Sequence, residues 1–154
     1  MTQIMFTGPL PPPPRVLVCD DSPDECHALA MLLRRDGYEV FEARDGDDAI
    51  ELVKNHAMDL VLLDLHMPDA RVNGFGVLHY LQEHHRSLPV VLLTGIDPRE
   101  LQRGMHGQHL TALPLMLLKP VDPQQVLDVV AAELGLDLPT ATDTPTAPDR
   151  TSPP

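Results

Sequence analysis

Tryptophan is absent and only five other aromatics occur, so the core of this 154-residue chain has to be built from Leu, Val, Ala and Met. Lysine is almost missing as well: Lys54 and Lys119 are the two, and Lys plus Arg number 11 against 23 Asp plus Glu, a formal charge of −12. A chain this acidic, with no basic patch, repels phosphate backbones and argues against direct DNA binding. No apolar run approaches the roughly 20 residues that span a bilayer, and no basic start followed by an apolar stretch marks a secretory signal. These absences lead us to expect a soluble, cytoplasmic protein without a membrane partner. Cys19 and Cys26 are the only cysteines, seven positions apart and without a CxxC pattern, which fits reduced thiols in the cytosol.

What is present suffices for about one domain. Ten of the 17 prolines fall in the first fourteen or last sixteen residues. Residues 1–14 therefore read as a Pro-rich extension ending in Pro11-Pro12-Pro13-Pro14, and residues 139–154 as a disordered Pro/Thr/Ala-rich tail too polar to offset its ordering entropy. The foldable domain is expected over residues 15–138.

Within it, the runs Val16–Cys19, Leu60–Leu63, Val90–Leu93 and Leu115–Leu118 are continuously apolar, as strands covered on both faces are. Tyr38–Glu42 is a weaker strand. Ser22-Pro23-Asp24-Glu25, Asp97-Pro98-Arg99-Glu100 and Asp122-Pro123-Gln124-Gln125 each set a capping residue, a proline at the first helical position, and Glu or Gln where a capping box needs it. Gly37 reads as the end of the first helix. Further helices are predicted near Asp48–Asn55 and Gly74–His85. Five βα units in strict alternation predict an α/β fold, with helices on both faces of a parallel sheet.

Open parallel sheets bind ligands beyond the carboxyl ends of their strands. Asp20-Asp21 follow the first strand, Asp64 ends the third, Thr94 follows the fourth and Lys119 the fifth. Three carboxylates on one edge repel unless a cation joins them, and carboxylates with waters and phosphate oxygens are the usual way to hold Mg²⁺. Lys119 and Thr94 add an ammonium and a hydroxyl, so the group suits phosphoryl transfer to a carboxylate.

The motifs Val16-Leu17-Val18-Cys19-Asp20-Asp21, Leu62-Leu63-Asp64-Leu65-His66-Met67-Pro68, Leu92-Leu93-Thr94-Gly95 and Leu118-Lys119-Pro120 resemble those of bacterial response-regulator receiver domains. The resemblance implies a doubly wound, five-stranded parallel sheet of the flavodoxin-like (βα)5 type. It implies that Asp64 accepts a phosphoryl group from a sensor histidine kinase or phosphotransfer protein. It also implies that Mg²⁺ is held by Asp21, Asp64 and the His66 main-chain carbonyl, with Asp20 acting mainly through metal-bound water. Lys119 is expected to pair with the phosphoryl oxygens, Thr94 to move toward them, and Lys119-Pro120 to be a cis peptide.

Several residues depart from the family pattern or invite a second reading. Met116 stands where receivers usually carry Tyr or Phe as a rotamer switch, and ordinary core packing is preferred to altered signalling. His66 is read as an exposed imidazole whose backbone matters, rather than as a metal or phosphoryl ligand. Gly95 should leave the acceptor accessible. The loop Pro68–Gly74 is about two residues longer than the family norm and is read as a neutral insertion. His79, His84 and His85 lack ligand spacing, and Cys19 beside two acids is read as structural rather than redox-active. Asp45–Asp48 is taken as a helix start, and Pro11–Pro14 as a spacer or a ligand for a polyproline reader.

The leading expectation is a stand-alone phosphoacceptor rather than an enzyme, signalling by protein binding or by phosphorelay, with a homodimer through the last two βα units left open. A phosphorylation-independent adaptor with the same fold is the alternative. A haloacid-dehalogenase-like phosphatase fits less well, because His66 stands where that family needs a second Asp and because Asp20-Asp21 precede the acceptor.

Overall fold

The computed structural model describes residues 8–97, 99 and 114–136. The body of the helix expected after Asp97, the domain end at Leu138 and the tail from Pro139 lie outside the described residues. Strands β1 (Arg15–Cys19), β2 (Glu39–Ala43), β3 (Leu60–Asp64), β4 (Val90–Thr94) and β5 (Leu115–Leu118) form one sheet in the order β2-β1-β3-β4-β5. All four pairings are parallel. Among the described residues there are four helices: α1 (Pro23–Arg35), α2 (Gly46–Asn55), α3 (Gly74–His84) and α4 (Pro123–Glu133).

The two-residue period of a strand sends alternate side chains to opposite faces, and both faces are covered. Val16, Val18, Leu60, Leu62, Val91 and Leu93 pack with Leu29 and Leu33 of α1 and Val126 and Val130 of α4. Leu17, Val61, Leu63 and Leu92 face the other way, onto Ala49 and Val53 of α2 and Val77, Leu78 and Leu81 of α3. Each fully buried Leu or Val contributes about 1.5–3 kcal/mol by leaving water, so the central runs hold the sheet. The continuous run of β5 does not follow its neighbours. It is an edge strand in the described sheet, and Leu115 and Leu118 stay 49% and 55% exposed. Met116, opposite Leu92, is partly buried against the second face, as the core-packing reading expects.

The helices begin where their capping residues stand. Ser22 Oγ accepts from Glu25 N–H at 3.4 Å, Asp45 Oδ1 from Asp48 N–H at 2.7 Å, Asn73 Oδ1 from Gly76 N–H at 3.0 Å and Asp122 Oδ1 from Gln124 N–H at 3.1 Å. Each such cap is worth about 1 kcal/mol. Asp45 starts α2 at Gly46, two residues before the expected Asp48. Asp97 behaves as the sequence suggests at its own turn, accepting from Arg99 N–H at 2.8 Å. Gly37 takes φ +98° just after α1, a conformation that favours glycine. The reciprocal half of the expected capping box at α1 is not formed. Ser22 N–H donates to Asp20 Oδ1 at 3.0 Å, and the Glu25 carboxylate turns elsewhere.

The long loop before α3 is anchored through Arg71 and Val72. Gly46 N–H donates to the Val72 carbonyl at 3.0 Å, Val72 packs on the second face of the sheet, and Arg71 forms a double hydrogen bond with Asp47 at 2.9 and 3.1 Å. Among the described residues, no helix is long and apolar enough to cross a membrane.

Candidate functional site

In this strand order the chain reverses its winding between β1 and β3, and the crevice beyond their carboxyl ends is where such folds bind ligands. Asp20 follows β1 and Asp64 ends β3, so register places both carboxylates at that crevice. Asp20 is fully buried and Asp64 nearly so, whereas Asp21 is exposed. One carboxylate oxygen from each of the three lies within 4.8 Å of the others, the only such group of potential metal ligands among the described residues.

Lys119, carried past the end of β5 and followed by a cis Lys119-Pro120 peptide, inserts its ammonium among the acids. Nζ donates to Asp20 Oδ2 at 2.9 Å, to Asp64 Oδ2 at 3.2 Å and to Glu25 Oε2 at 2.7 Å. Burial pulls the lysine pKa down, but the hydrogen bonds to Glu25 and Asp20 and the charges of Asp64 and Asp20 outweigh it, and the ammonium stays protonated. Burial pushes the Asp64 carboxyl up to about 6, against the opposing pull of the His66 N–H and the Lys119 charge. The nearby Asp20 charge raises it further. By formal count, one ammonium stands among four carboxyl groups, those of Asp20, Asp21, Glu25 and Asp64.

His66 N–H donates to Asp64 Oδ1 at 2.9 Å, which orients the carboxylate through the backbone, while the imidazole is exposed. Thr94 is buried, and its Oγ1 accepts from Ile96 N–H at 3.0 Å. A Cβ on Gly95 would meet nothing within 4 Å, so the approach beside Asp64 is open. Asp21, Glu25, Asp64, His66, Gly95, Ile96 and Lys119 together line a cleft of about 420 Å³.

Of the residues singled out in the sequence, Asp20, Asp21, Asp64, His66 and Lys119 converge on this crevice. Thr94 lies buried at the end of β4, next to Gly95 and Ile96, which line the cleft. The residue sequence reasoning missed is Glu25, assigned there to a capping box. Its position one turn into the helix that follows Asp20-Asp21 was the available signal.

The donor set fits a hard divalent cation. Asp20, Asp21 and Asp64 bring three carboxylate oxygens within 4.8 Å of one another, Asp21 and Asp64 line an open cleft, and an all-oxygen donor set of this kind suits a hard divalent cation. His79 and His84 are exposed, and His79 pairs with Glu83 at 3.3 Å rather than with another histidine.

Cys19 and Cys26 are fully buried free thiols. Burial, joined by nearby acidic charge, pushes the Cys26 thiol up to about 11 and Cys19 higher still. At pH 8 both should react with a disulfide reagent roughly a hundredfold or more slowly in the native protein than after unfolding in urea. Rapid release of a thiol chromophore from the folded protein would contradict the structural reading of Cys19.

Comparison with known proteins agrees with this geometry. The sequence profile of the response regulator receiver domain matches residues 16–131. The chain is 40% identical over 88 residues to "Probable transcriptional regulatory protein TcrX" of Mycobacterium tuberculosis, a match covering 57% of this chain and 37% of that protein. It is 34% identical over 85 residues to "Protein PilH" of Pseudomonas aeruginosa, covering 54% and 69% respectively. Among solved structures, chemotaxis protein CheY4 of Vibrio cholerae superposes with a TM-score of 0.66 at 26% identity, over 78% of this chain and 98% of that one. A CheY-like receiver domain from Methanospirillum hungatei shares the fold with a TM-score of 0.70 at 22% identity, over 80% and 94%.

Proposed function

This chain belongs to the response-regulator receiver domain family, and from that premise we propose that Asp64 is its phosphoacceptor, charged by a phosphohistidine of a sensor histidine kinase or phosphotransfer protein. The carrying observation is the Asp64 carboxylate at the end of β3, facing an open cleft with Lys119 Nζ 3.2 Å away and two further acids beside it. An Asp64 carboxylate oxygen attacks phosphorus, a P–O bond forms, and the P–N bond to the donor imidazole breaks with its electron pair going to the ring. The product is an acyl phosphate on Asp64. Mg²⁺, held by Asp20, Asp21, Asp64 and the His66 carbonyl, would neutralise charge on the phosphoryl oxygens.

The protein's own groups do the remainder. His66 N–H holds one Asp64 oxygen in place. Lys119 exchanges its carboxylate partners for a phosphoryl oxygen, and Thr94 gives up the Ile96 N–H to turn its hydroxyl toward the same group. Such a rearrangement moves the end of β4 and the turn after it, and a change there is readable by another protein. We therefore assign signalling through protein contact or onward relay, with the finer choice left to the partner. A net charge of −12 disfavours direct contact with a phosphate backbone.

The test is intact-mass spectrometry after incubation with acetyl phosphate and Mg²⁺. One phosphoryl adduct is expected, released by hydroxylamine and abolished by chelator, without turnover of phosphate monoesters. A folded protein that takes no adduct from any donor sinks this reading in favour of the phosphorylation-independent adaptor, and catalytic turnover of monoesters sinks it in favour of a phosphatase.

A further inference from the structure

Glu25 occupies the third position of α1, where its side chain could close a capping box, and it does not. Its carboxylate is 57% exposed, yet it reaches across the cleft to Lys119, and at 2.7 Å this is the shortest of the three ammonium contacts. The cap it forgoes is taken up by Asp20, which accepts the Ser22 N–H. Glu25 also lines the cleft beside Asp21 and Asp64. An incoming phosphoryl group therefore meets a fourth negative charge at the mouth, and has to displace Glu25 from the lysine it needs.

These two effects are separable by chemistry. Displacing Glu25 from Lys119 burdens every donor alike, whereas repulsion at the mouth scales with the donor's own charge. We propose that Glu25 is a specificity-determining residue that selects phosphodonors by charge, disfavouring small dianionic acyl phosphates relative to donors whose negative charge is partly offset by a cationic nitrogen. The inference rests on Asp64 being the phosphoacceptor. It concerns which donors reach it.

The experiment compares phosphorylation rate constants for acetyl phosphate, a dianion near neutral pH, and phosphoramidate, a zwitterion with a single net negative charge, in wild type, Glu25→Gln and Glu25→Asp. One unit charge at an exposed, screened mouth is worth a factor of roughly five to ten for the dianion and about the square root of that for the monoanion. Glu25→Gln should thus raise the ratio of acetyl phosphate to phosphoramidate rate constants roughly two- to threefold. Glu25→Asp, which keeps the charge, should leave the ratio near wild type. The gain should shrink at 1 M salt, where the Debye length is about 3 Å.

A readout independent of turnover uses the metal-free protein: the Lys119 ammonium resonance in a ¹⁵N NMR spectrum should shift and exchange faster with water in Glu25→Gln. An unchanged donor ratio overturns the proposal, as does an equal acceleration of both donors, which would assign Glu25 only to restraining Lys119. An unmoved ammonium resonance overturns the contact itself. Failure of the underlying reading looks different, since wild type would then take no phosphoryl group from either donor.

Discussion

Asp64→Asn should lose the phosphoryl adduct completely and at the same time make the metal-free protein more stable above pH 6. On the proposed role of Asp64, the loss follows from replacing the nucleophilic carboxylate with an amide. The gain follows from the environment of Asp64. Burial holds the Asp64 carboxyl at about 6 in the folded chain, against about 3.9 for an ordinary aspartate. Between about pH 4 and 6 the folded state therefore binds a proton that the unfolded state has released, and stability from this group is lost as pH rises through that window. An amide carries no charge to desolvate, so the variant avoids the loss, worth on the order of 1–3 kcal/mol at neutral pH.

Urea denaturation of both proteins in chelator, from pH 4 to 8, checks the linkage. The difference in unfolding free energy should grow between pH 4 and 6 and level off above. Curves that stay parallel across that window would show that Asp64 ionises without penalty. Added Mg²⁺ should reverse the order at pH 7.5 by stabilising wild type more than the variant, since binding to the folded state alone adds stability by mass action.

Gly74→Ala should destabilise the fold by about 3 kcal/mol or more and distort the site with it. A Cβ at Gly74 would overlap the Asp64 carbonyl oxygen and approach the Leu65 Cα to 2.5 Å. Both are backbone atoms, so no flexible side chain can yield. Either the start of α3 or the segment Asp64–His66 has to move, and the second choice displaces the carboxylate and the N–H that orients it. Gly95→Ala is the matched control, because its Cβ would enter open space. Thermal melts should separate the two by well over 5 °C, and phosphorylation of Gly74→Ala by acetyl phosphate should fall along with its stability. Equal melting temperatures would mean that α3 can retreat from the sheet at little cost.

Both predictions turn on a site whose components were visible before their arrangement was. Asp20, Asp21, Asp64, Thr94 and Lys119 could be named because each ends an apolar run, and a strand end in a parallel sheet is a place with known consequences. The helix starts at Ser22 and Asp122 were equally readable, since a capping side chain acts within three residues of itself. β5 was misjudged for the opposite reason. Its apolar run says nothing about whether a neighbour exists on the far side, and the exposure of Leu115 and Leu118 depends on their place at the edge. The long loop before α3 read as a neutral insertion, while its anchors, Gly46 and Asp47, lie more than twenty residues earlier.

Glu25 marks the boundary between the two kinds of knowledge. Local physics offered its carboxylate the Ser22 N–H three residues away, and that contact is what the sequence alone supports. Ninety-four residues separate it from Lys119, a distance across which no local pattern reports. The sequence by itself determined the alternation of strands and helices, the strand ends that carry charge and the family to which they point, because those depend on periodicity and on neighbours a few residues apart. Only the tertiary structure decided which acids hold the lysine, how far Asp64 resists ionisation and which glycines cannot take a side chain. Those depend on distances between segments that meet only when the sheet has formed, and electrostatic and steric energies change steeply over such distances.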